Sequence, residues 1–153
     1  MILTSTAFED RTEIPTRYTC EGADVSPPLS WQGVPPGTRS LALIVDDPDA
    51  PDPAAPRQTW VHWVLSDLPA ELGGLPEDVR RLAHGHVGVN DWKHTRWNGP
   101  CPPIGRHRYV FKLYALDRVL ELAHPTKHQL EGAMVGHVLA MATLIGTYQK
   151  ARR

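Results

Sequence analysis

The sequence lacks blocks of like charge, long apolar runs and a disulfide-rich framework, and each absence excludes a class of protein. Sixteen Lys and Arg residues face seventeen Asp and Glu residues, which gives a net charge of -1 at pH 7. Binding to nucleic acid driven by bulk charge is therefore not expected. No stretch is long enough to cross a bilayer, and residues 1–8 lack the basic start and apolar core of a signal peptide. We expect a soluble, cytoplasmic protein without a transmembrane segment.

Only two cysteines are present, Cys20 and Cys101, too few for the scaffold of a small secreted domain. In a reducing compartment such residues usually remain thiols, although a bridge between them stays open as an alternative. The length of 153 residues supports one proper core, so we predict a single domain over residues 1–153. Fifteen prolines gather in clusters that we interpret as ordered loops.

Apolar runs and alternation predict several β-strands. Residues 41–45 are continuously apolar, and residues 59–65 are rich in Trp and Val, so both indicate buried strands. Residues 107–116 alternate most regularly and give the strongest strand prediction. Weaker strands are predicted at 29–31 and 83–89. In the second run, alternation places Trp60, His62 and Val64 on one face and Val61, Trp63 and Leu65 on the other.

The C-terminal part has the pattern of a helix. Thr126 and Gln129 have the spacing of a capping box, and apolar residues follow at helical spacing at Leu130, Met134, Val138, Met141, Ile145 and Tyr148. One long amphipathic helix is therefore predicted to close the domain, weakened by Gly132, Gly136 and Gly146. Strands followed by a final helix predict a mostly β fold with a C-terminal helix on an antiparallel sheet.

Three separated segments bring titratable or aromatic residues to places where a strand meets a loop. They are Asp47-Pro48-Asp49-Ala50-Pro51, Trp60-Val61-His62 and Gly105-Arg106-His107-Arg108-Tyr109. Between the last two lies a proline-rich loop in which Gly99 permits close approach of a ligand. Together they predict a small, rigid, polar cavity. Plainer alternatives are an acidic turn that caps backbone N–H groups and a core histidine at position 62 that donates to a carbonyl.

The chain resembles the phosphatidylethanolamine-binding protein family, also called Raf kinase inhibitor proteins, and in particular its bacterial and archaeal branch. The resemblance spans nearly the whole chain. It is carried by these motifs: Ser26-Pro27-Pro28-Leu29-Ser30-Trp31, Asp47-Pro48-Asp49-Ala50-Pro51, Trp60-Val61-His62-Trp63, Gly99-Pro100-Cys101-Pro102-Pro103, Gly105-Arg106-His107-Arg108-Tyr109, Gly136-His137-Val138-Leu139-Ala140 and Gly146-Thr147-Tyr148.

The resemblance implies a β-sandwich-like fold with a large antiparallel sheet. It further implies a pocket for phosphate-like anions or phospholipid head groups, with no catalysis and no cofactor. By motif position the pocket residues are Asp47, His62, His107 and Tyr109, with Gly99 and Pro100 at the wall and Trp60 and Pro51 at the mouth. Asp49 is expected to buttress the loop, and Arg108 to pair with a buried acid. Bacterial relatives are often dimeric, which makes a homodimer a further implication.

Positive charge for the anion would come from an imidazolium at His62 or His107, so binding should tighten as the pH falls from about 8 to 6. Three alternatives remain at this point. Asp47, Asp49, His62 and His107 could together bind the metal ion of a hydrolase. Cys101 could act as a nucleophile with His107 as its base, although the neighbouring prolines leave few N–H donors for an oxyanion. The resemblance also implies inhibition of a kinase or serine protease through the pocket rim.

Overall fold

The structure is a computed structural model that describes residues 1–151. In that part of the chain the regular elements are nine strands, one α-helix and a 3₁₀ turn at Thr16–Tyr18. The bounds of these elements are β1 Ile2–Thr4, β2 Thr12–Glu13, β3 Leu29–Gln32, β4 Ser40–Ala50, β5 Gln58–Pro69, β6 Gly74–Leu75, β7 His86–Val87, β8 His107–Leu116, α1 Lys127–Met134 and β9 Val138–Tyr148.

The strands form two sheets. The larger has the order β2-β9-β8-β4-β5-β7 and is antiparallel except for the β2–β9 pair, while the smaller has the order β1-β3-β6. Side chains from both sheets form one buried cluster, in which Leu29 and Trp31 of the small sheet join Leu43 and Phe111 of the large one. The prediction of a mostly β, sandwich-like fold built on a large antiparallel sheet is confirmed.

The large sheet is covered on both faces, which explains why its central strand is apolar without interruption. On the side opposite the small sheet, Ala42 and Ile44 of β4 pack with Leu130 and Met134 of α1. All five residues from 41 to 45 are fully buried. A strand that buries both faces has no need of polar alternation, so the continuous run at 41–45 is the expected pattern.

The prediction of one long C-terminal helix is wrong after Met134, because only its first two turns are helical. The capping box at Thr126 and Gln129 is present, but α1 ends at Met134 and Gly136 then adopts a positive φ of 80°. Residues 138–148 form β9, which lies between β2 and β8 in the large sheet. Its inward residues are Ala142, Leu144, Gly146 and Tyr148, an alternation with period two. The single helix therefore precedes the last strand.

The other strands differ from prediction mainly in length. β8 has the predicted bounds, whereas β4 and β5 extend past theirs and β7 occupies only two residues of the predicted 83–89. The predicted alternation in β5 also fails, because Val61 packs with Val64 on the helix side. The register explains this failure: Val45 pairs with Trp63 and Asp46 with Val61, so His62 is an extra residue in a β-bulge.

Cys20 and Cys101 form a disulfide, with their Cα atoms 5.4 Å apart. The sequence left both thiols and a bridge open for these residues, and the bridge is the one observed. Among residues 1–151, no helix has the length and apolar character required to span a membrane.

Candidate functional site

A cavity of about 240 Å³ lies where β4 ends and β5 and β8 begin. Because these strands are antiparallel neighbours, the end of one meets the starts of the others at the same edge of the sheet. The residues that line the cavity are Asp47, Ala50, Pro51, Gln58, Trp60, His62, Trp92, Cys101, Pro102, Pro103, His107 and Tyr109. Six of the predicted site residues are in this set: Asp47, Pro51, Trp60, His62, His107 and Tyr109.

Asp49 does not line the cavity. It is 6% exposed, and its carboxylate accepts hydrogen bonds from the backbone N–H, Nε and Nη2 of Arg108 at 2.8, 3.0 and 2.8 Å. These bonds lower the pKa of Asp49 below its ordinary range. The carboxylate therefore joins the end of β4 to the start of β8, which is the buttressing role expected for it. Arg108 pairs with a buried acid, as expected.

Gly99 and Pro100 also lie outside the cavity lining. A Cβ atom on Gly99 would be 2.1 Å from the carbonyl oxygen of Tyr18, so the glycine permits close packing against the chain and not against a ligand. Its N–H donates to Asp24 Oδ1 at 2.8 Å. Pro100 is buried, and its carbonyl accepts a hydrogen bond from Cys20. Both residues hold the loop that presents Cys101, Pro102 and Pro103 to the cavity.

Asp47 and His107 share a proton at the base of the cavity. Nδ1 of His107 lies 2.6 Å from Oδ2 of Asp47, and Nε2 lies 2.8 Å from the carbonyl oxygen of Ile104. Since a carbonyl can only accept, Nε2 donates, and one proton occupies the bond between Nδ1 and the carboxylate. The pair is electrically neutral wherever that proton sits. Burial raises the pKa of Asp47, while the bond from His107 opposes the rise.

His62 presents a lone pair rather than a positive charge. Its Nδ1 lies 2.6 Å from the carbonyl oxygen of Asn98 and must donate to it, which leaves Nε2 as the acceptor. Nε2 has no hydrogen-bond partner in the described part of the chain. Burial lowers the pKa of His62 from 6.5 to about 4. The lowered pKa favours the neutral ring over the expected imidazolium in the ligand-free site.

The Tyr109 hydroxyl is the second group without a protein partner. The residue is 1% exposed, and its oxygen makes no hydrogen bond within residues 1–151. The Asp47 carboxylate and the backbone N–H of Cys101 are nearby, and burial together with Asp47 raises the pKa of the phenol. A buried hydroxyl without a partner is unfavourable, so this atom is available for a ligand.

Aromatic rings and prolines form the walls. Trp92 packs edge-on against Trp60 and His62, with centroid distances of 5.5 and 4.8 Å. Sequence reasoning missed the lining role of Trp92, Gln58, Ala50, Cys101, Pro102 and Pro103. The two prolines and Cys101 belong to the motif at residues 99–103, whereas Trp92 lies in an irregular loop. That loop is fixed by Asn90, whose side-chain oxygen accepts from the backbone N–H groups of Trp92 and His94.

The metal and cysteine alternatives do not fit this geometry. Among residues 1–151, no three His, Cys, Asp or Glu side chains come close enough together to hold a metal ion. The reason is local: Asp49 binds Arg108, and both ring nitrogens of His107 are engaged. Cys101 has no thiol because it is bridged to Cys20.

Known structures share this architecture closely. The crystal structure of a phosphatidylethanolamine-binding protein homologue from Chlamydia trachomatis superposes with a TM-score of 0.89 at 42% identity and covers 97% of each chain. YbcL of E. coli, described as a new member of the mammalian family, superposes with a TM-score of 0.87 at 29% identity and covers 98% of each. The fold and cavity thus place this chain among phosphatidylethanolamine-binding-type proteins.

Sequence comparison assigns the family. The family model described as phosphatidylethanolamine-binding protein matches residues 4–149. A UPF0098 protein of Methanothermobacter thermautotrophicus is 51% identical over 155 residues, covering 98% of this chain and 99% of the relative. A UPF0098 protein of Chlamydia muridarum is 44% identical over 151 residues, with coverage of 98% and 99%. The chain belongs to the phosphatidylethanolamine-binding protein family.

Proposed function

We propose that this protein is a non-catalytic binding protein whose cavity holds a small phosphate-like anion, either free or as part of a phospholipid head group. One observation carries the proposal: the unpartnered Tyr109 hydroxyl and the unpartnered Nε2 of His62 border the same walled cavity. One oxygen of a tetrahedral oxyanion can accept from the Tyr109 hydroxyl, while a protonated oxygen of the same group, or the ammonium of a head group, can donate to Nε2 of His62. The aromatic and proline walls lower the local dielectric constant, which strengthens each bond.

The bonding around the cavity supports binding in preference to catalysis. A nucleophile needs a free reactive atom next to a base that can take its proton. Cys101 is bridged, and Asp47 and His107 already use their polar atoms on each other and on the backbone. The groups that remain are one acceptor and one neutral donor, which suit recognition of a ligand.

Binding by isothermal titration calorimetry tests the proposal, with inorganic phosphate and phosphoethanolamine as free ligands. Vesicles of phosphatidylethanolamine and of phosphatidylcholine, in a sedimentation assay, distinguish the free anion from the lipid source. Tyr109→Phe removes only the hydroxyl and should weaken phosphate binding about tenfold, the effect of one lost hydrogen bond. Tyr114→Phe, outside the cavity on the same strand, is the matched control and should leave binding unchanged. Saturable binding that is insensitive to Tyr109→Phe would refute the assignment of the site.

The remaining expectations stay predictions. They are a kinase or serine protease partner at the cavity rim, a homodimer, and a cytoplasmic location. The bridge between Cys20 and Cys101 argues against a reducing compartment, because such bonds persist mainly where the surroundings are oxidising. Cell fractionation of the native host decides the location.

A further inference from the structure

We infer that the disulfide between Cys20 and Cys101 is a redox switch for the cavity, and that its reduction weakens ligand binding. The inference rests on the proposed function and adds a regulation of the same site. The bond has one end at the surface and the other in the cavity wall, because Cys20 is exposed and Cys101 lines the cavity. A change at the surface is therefore connected covalently to the ligand site.

The wall segment that contains Cys101 has few other attachments. Residues 101–103 read Cys-Pro-Pro, so Cys101 has the only backbone N–H in the segment. That N–H lies near the Tyr109 hydroxyl. Within residues 1–151, no backbone-to-backbone hydrogen bond involves any of the three residues. The disulfide is therefore the cross-link that fixes this part of the wall against the rest of the fold.

Hydrogen bonds fix the chain on either side of this segment. The carbonyl of Pro100 accepts from the N–H of Cys20 at 3.1 Å, and the carbonyl of Ile104 accepts from Nε2 of His107 at 2.8 Å. Neither bond involves a sulfur atom, so the loop stays attached at both ends when the disulfide is cut. Cleavage then frees residues 101–103 to shift between these two anchors without unfolding the loop.

Cys20 itself lies in a turn that is held by its own hydrogen bonds. The N–H of Thr19 donates to the carbonyl of Thr16 at 3.0 Å, and the N–H of Gly22 donates to the carbonyl of Thr19 at 3.0 Å. Cys20 is not among the residues that line the cavity. The turn therefore gives the disulfide a fixed starting point, and Cys20 influences the cavity through its bond to Cys101.

The reductant of the switch is a dithiol. One thiolate of the dithiol attacks Sγ of Cys20, the exposed end of the bond, and Cys101 leaves as a thiolate that takes up a proton. The second thiolate of the reductant then displaces Cys20. The products are two cysteine thiols and the cyclic disulfide of the reductant, so two electrons and two protons pass from the dithiol to the protein.

Reduction should lower the affinity because the ligand must then order the wall. Cys101, Pro102 and Pro103 line the cavity together with Tyr109, so a shift of the segment changes the shape of the site. In the disulfide form this segment is already fixed, and binding carries no entropy cost for ordering it. The prolines keep that cost small in the reduced form. We expect the dissociation constant for inorganic phosphate to rise about tenfold.

Calorimetry of the whole protein with inorganic phosphate, before and after reduction by dithiothreitol, tests the inference. Cys20→Ala removes the bond without altering a lining residue, so it should bind about as weakly as the reduced wild type and be insensitive to dithiothreitol. Leu130→Ala is the control for general destabilisation, because Leu130 is buried between α1 and the large sheet and does not line the cavity. It should keep the affinity of the oxidised wild type.

Thermodynamic linkage supplies a second measurement. If phosphate binds the disulfide form about tenfold more tightly, saturating phosphate must stabilise that form by the same factor. The midpoint potential of the bond should then become about 30 mV more negative. Equilibration in mixtures of reduced and oxidised dithiothreitol, with the free thiols counted by alkylation and mass spectrometry, measures this shift.

Circular dichroism of the reduced protein should show a folded chain at room temperature, because both sheets keep their hydrogen bonds. Equal affinity in the two redox forms, with an unchanged potential, would overturn the inference and leave the proposed function in place. An unfolded reduced protein, or an equal loss of affinity in Leu130→Ala, would also overturn it, since stability alone would then explain the loss. Failure of the oxidised protein to bind phosphate would refute the proposed function and the switch together.

Discussion

Nδ1 of His107 lies 2.6 Å from Oδ2 of Asp47, and both side chains are almost completely buried. The second oxygen of Asp47 accepts from the N–H of Asp49 at 2.7 Å. The carboxylate thus has two roles, to neutralise the imidazole and to hold the turn after it. Neither of its oxygens is left to bind a ligand directly. Asp47 belongs to the cavity as the group that orients His107.

Replacing Asp47 should have very different effects in two variants. Asp47→Ala leaves Nδ1 of His107 and the Asp49 N–H without partners, and we expect a loss of about 3 kcal/mol in the free energy of unfolding. Asp47→Asn can still accept from Asp49 and donate to a neutral His107, so its loss should be about 1 kcal/mol. Urea unfolding at pH 7 measures both. Equal losses would contradict the shared-proton arrangement.

His62 should make the protein sensitive to mild acid. The unfolded chain protonates this residue near pH 6.5, but the folded chain does so only at about pH 4 because of burial. Between those values the unfolded state binds more protons, so stability is full above pH 6.5 and falls as the pH drops. The difference corresponds to about 3 kcal/mol at pH 4.

Unfolding of wild-type protein and His62→Gln across pH 7 to 4 isolates this contribution. The raised pKa of Asp47 acts in the opposite direction in both proteins and cancels in the comparison. The variant should show a shallower slope than the wild type below pH 6.5. Parallel curves would show that His62 titrates normally in the folded chain.

The sequence indicated the strands around the cavity well, because their patterns are local. In β8 ten residues alternate without interruption, and the predicted bounds are those observed. β9 was mistaken for a helix, since its apolar residues also fit helical spacing after a genuine capping box. What makes it a strand is its pairing along the full length of β8, a long-range contact that no local pattern contains.

The sequence predicted the main residues of the site but not the charge of His62. The strand ends bring Asp47, His62, His107 and Tyr109 together around one cavity. The neutrality of His62 depends on the Asn98 carbonyl, 36 residues away in the chain, and on burial. The carboxylate of Asp49 binds Arg108 and does not line the cavity. Trp92 lines the cavity from a loop whose sequence has no periodic pattern. These features depend on tertiary hydrogen bonds, which residue type alone does not specify.

The disulfide should be a large source of stability. It joins residues 81 positions apart, and closing a loop of that length is worth about 4.5 kcal/mol in the chain-entropy account. The double variant Cys20→Ser, Cys101→Ser should lose about that amount in guanidinium unfolding. Reductant should destabilise the wild type toward the same value and leave the variant unaffected. A reductant effect of equal size in the double variant would mean that the loss has another cause.

Replacing either of two glycines with alanine should change the free energy of unfolding, in opposite directions at the two positions. A Cβ at position 99 would meet the carbonyl oxygen of Tyr18 and Oδ1 of Asp24, whereas at position 132 nothing lies within 4 Å. We expect Gly99→Ala to cost about 3 kcal/mol or more, by displacing the loop that carries Cys101. Gly132→Ala, in the exposed face of α1, should gain about 0.5 to 1 kcal/mol. Thermal unfolding compares them, and a tolerated Gly99→Ala would show that the loop can move.

Asn90 should prove to be the residue that positions His62 and Trp92. Its amide nitrogen lies within hydrogen-bond distance of the carbonyls of His62 and Arg96 and of Asn98 Oδ1, and its oxygen accepts from two backbone N–H groups. Asn90→Asp keeps the shape of the side chain and its accepting oxygen. It replaces the donating NH2 group with a second carboxylate oxygen, which would face three other oxygens.

We expect Asn90→Asp to destabilise the fold by about 3 kcal/mol, at least as much as Asn90→Ala. The variant should also bind inorganic phosphate more weakly, because Asn98 would no longer hold the His62 ring. Asn98→Ala keeps the backbone carbonyl and is the milder control. Intrinsic fluorescence reports on Trp92, and calorimetry with inorganic phosphate reports on His62. If Asn90→Asp kept both signals unchanged, the loop would be fixed by other contacts and Asn90 would have no positioning role.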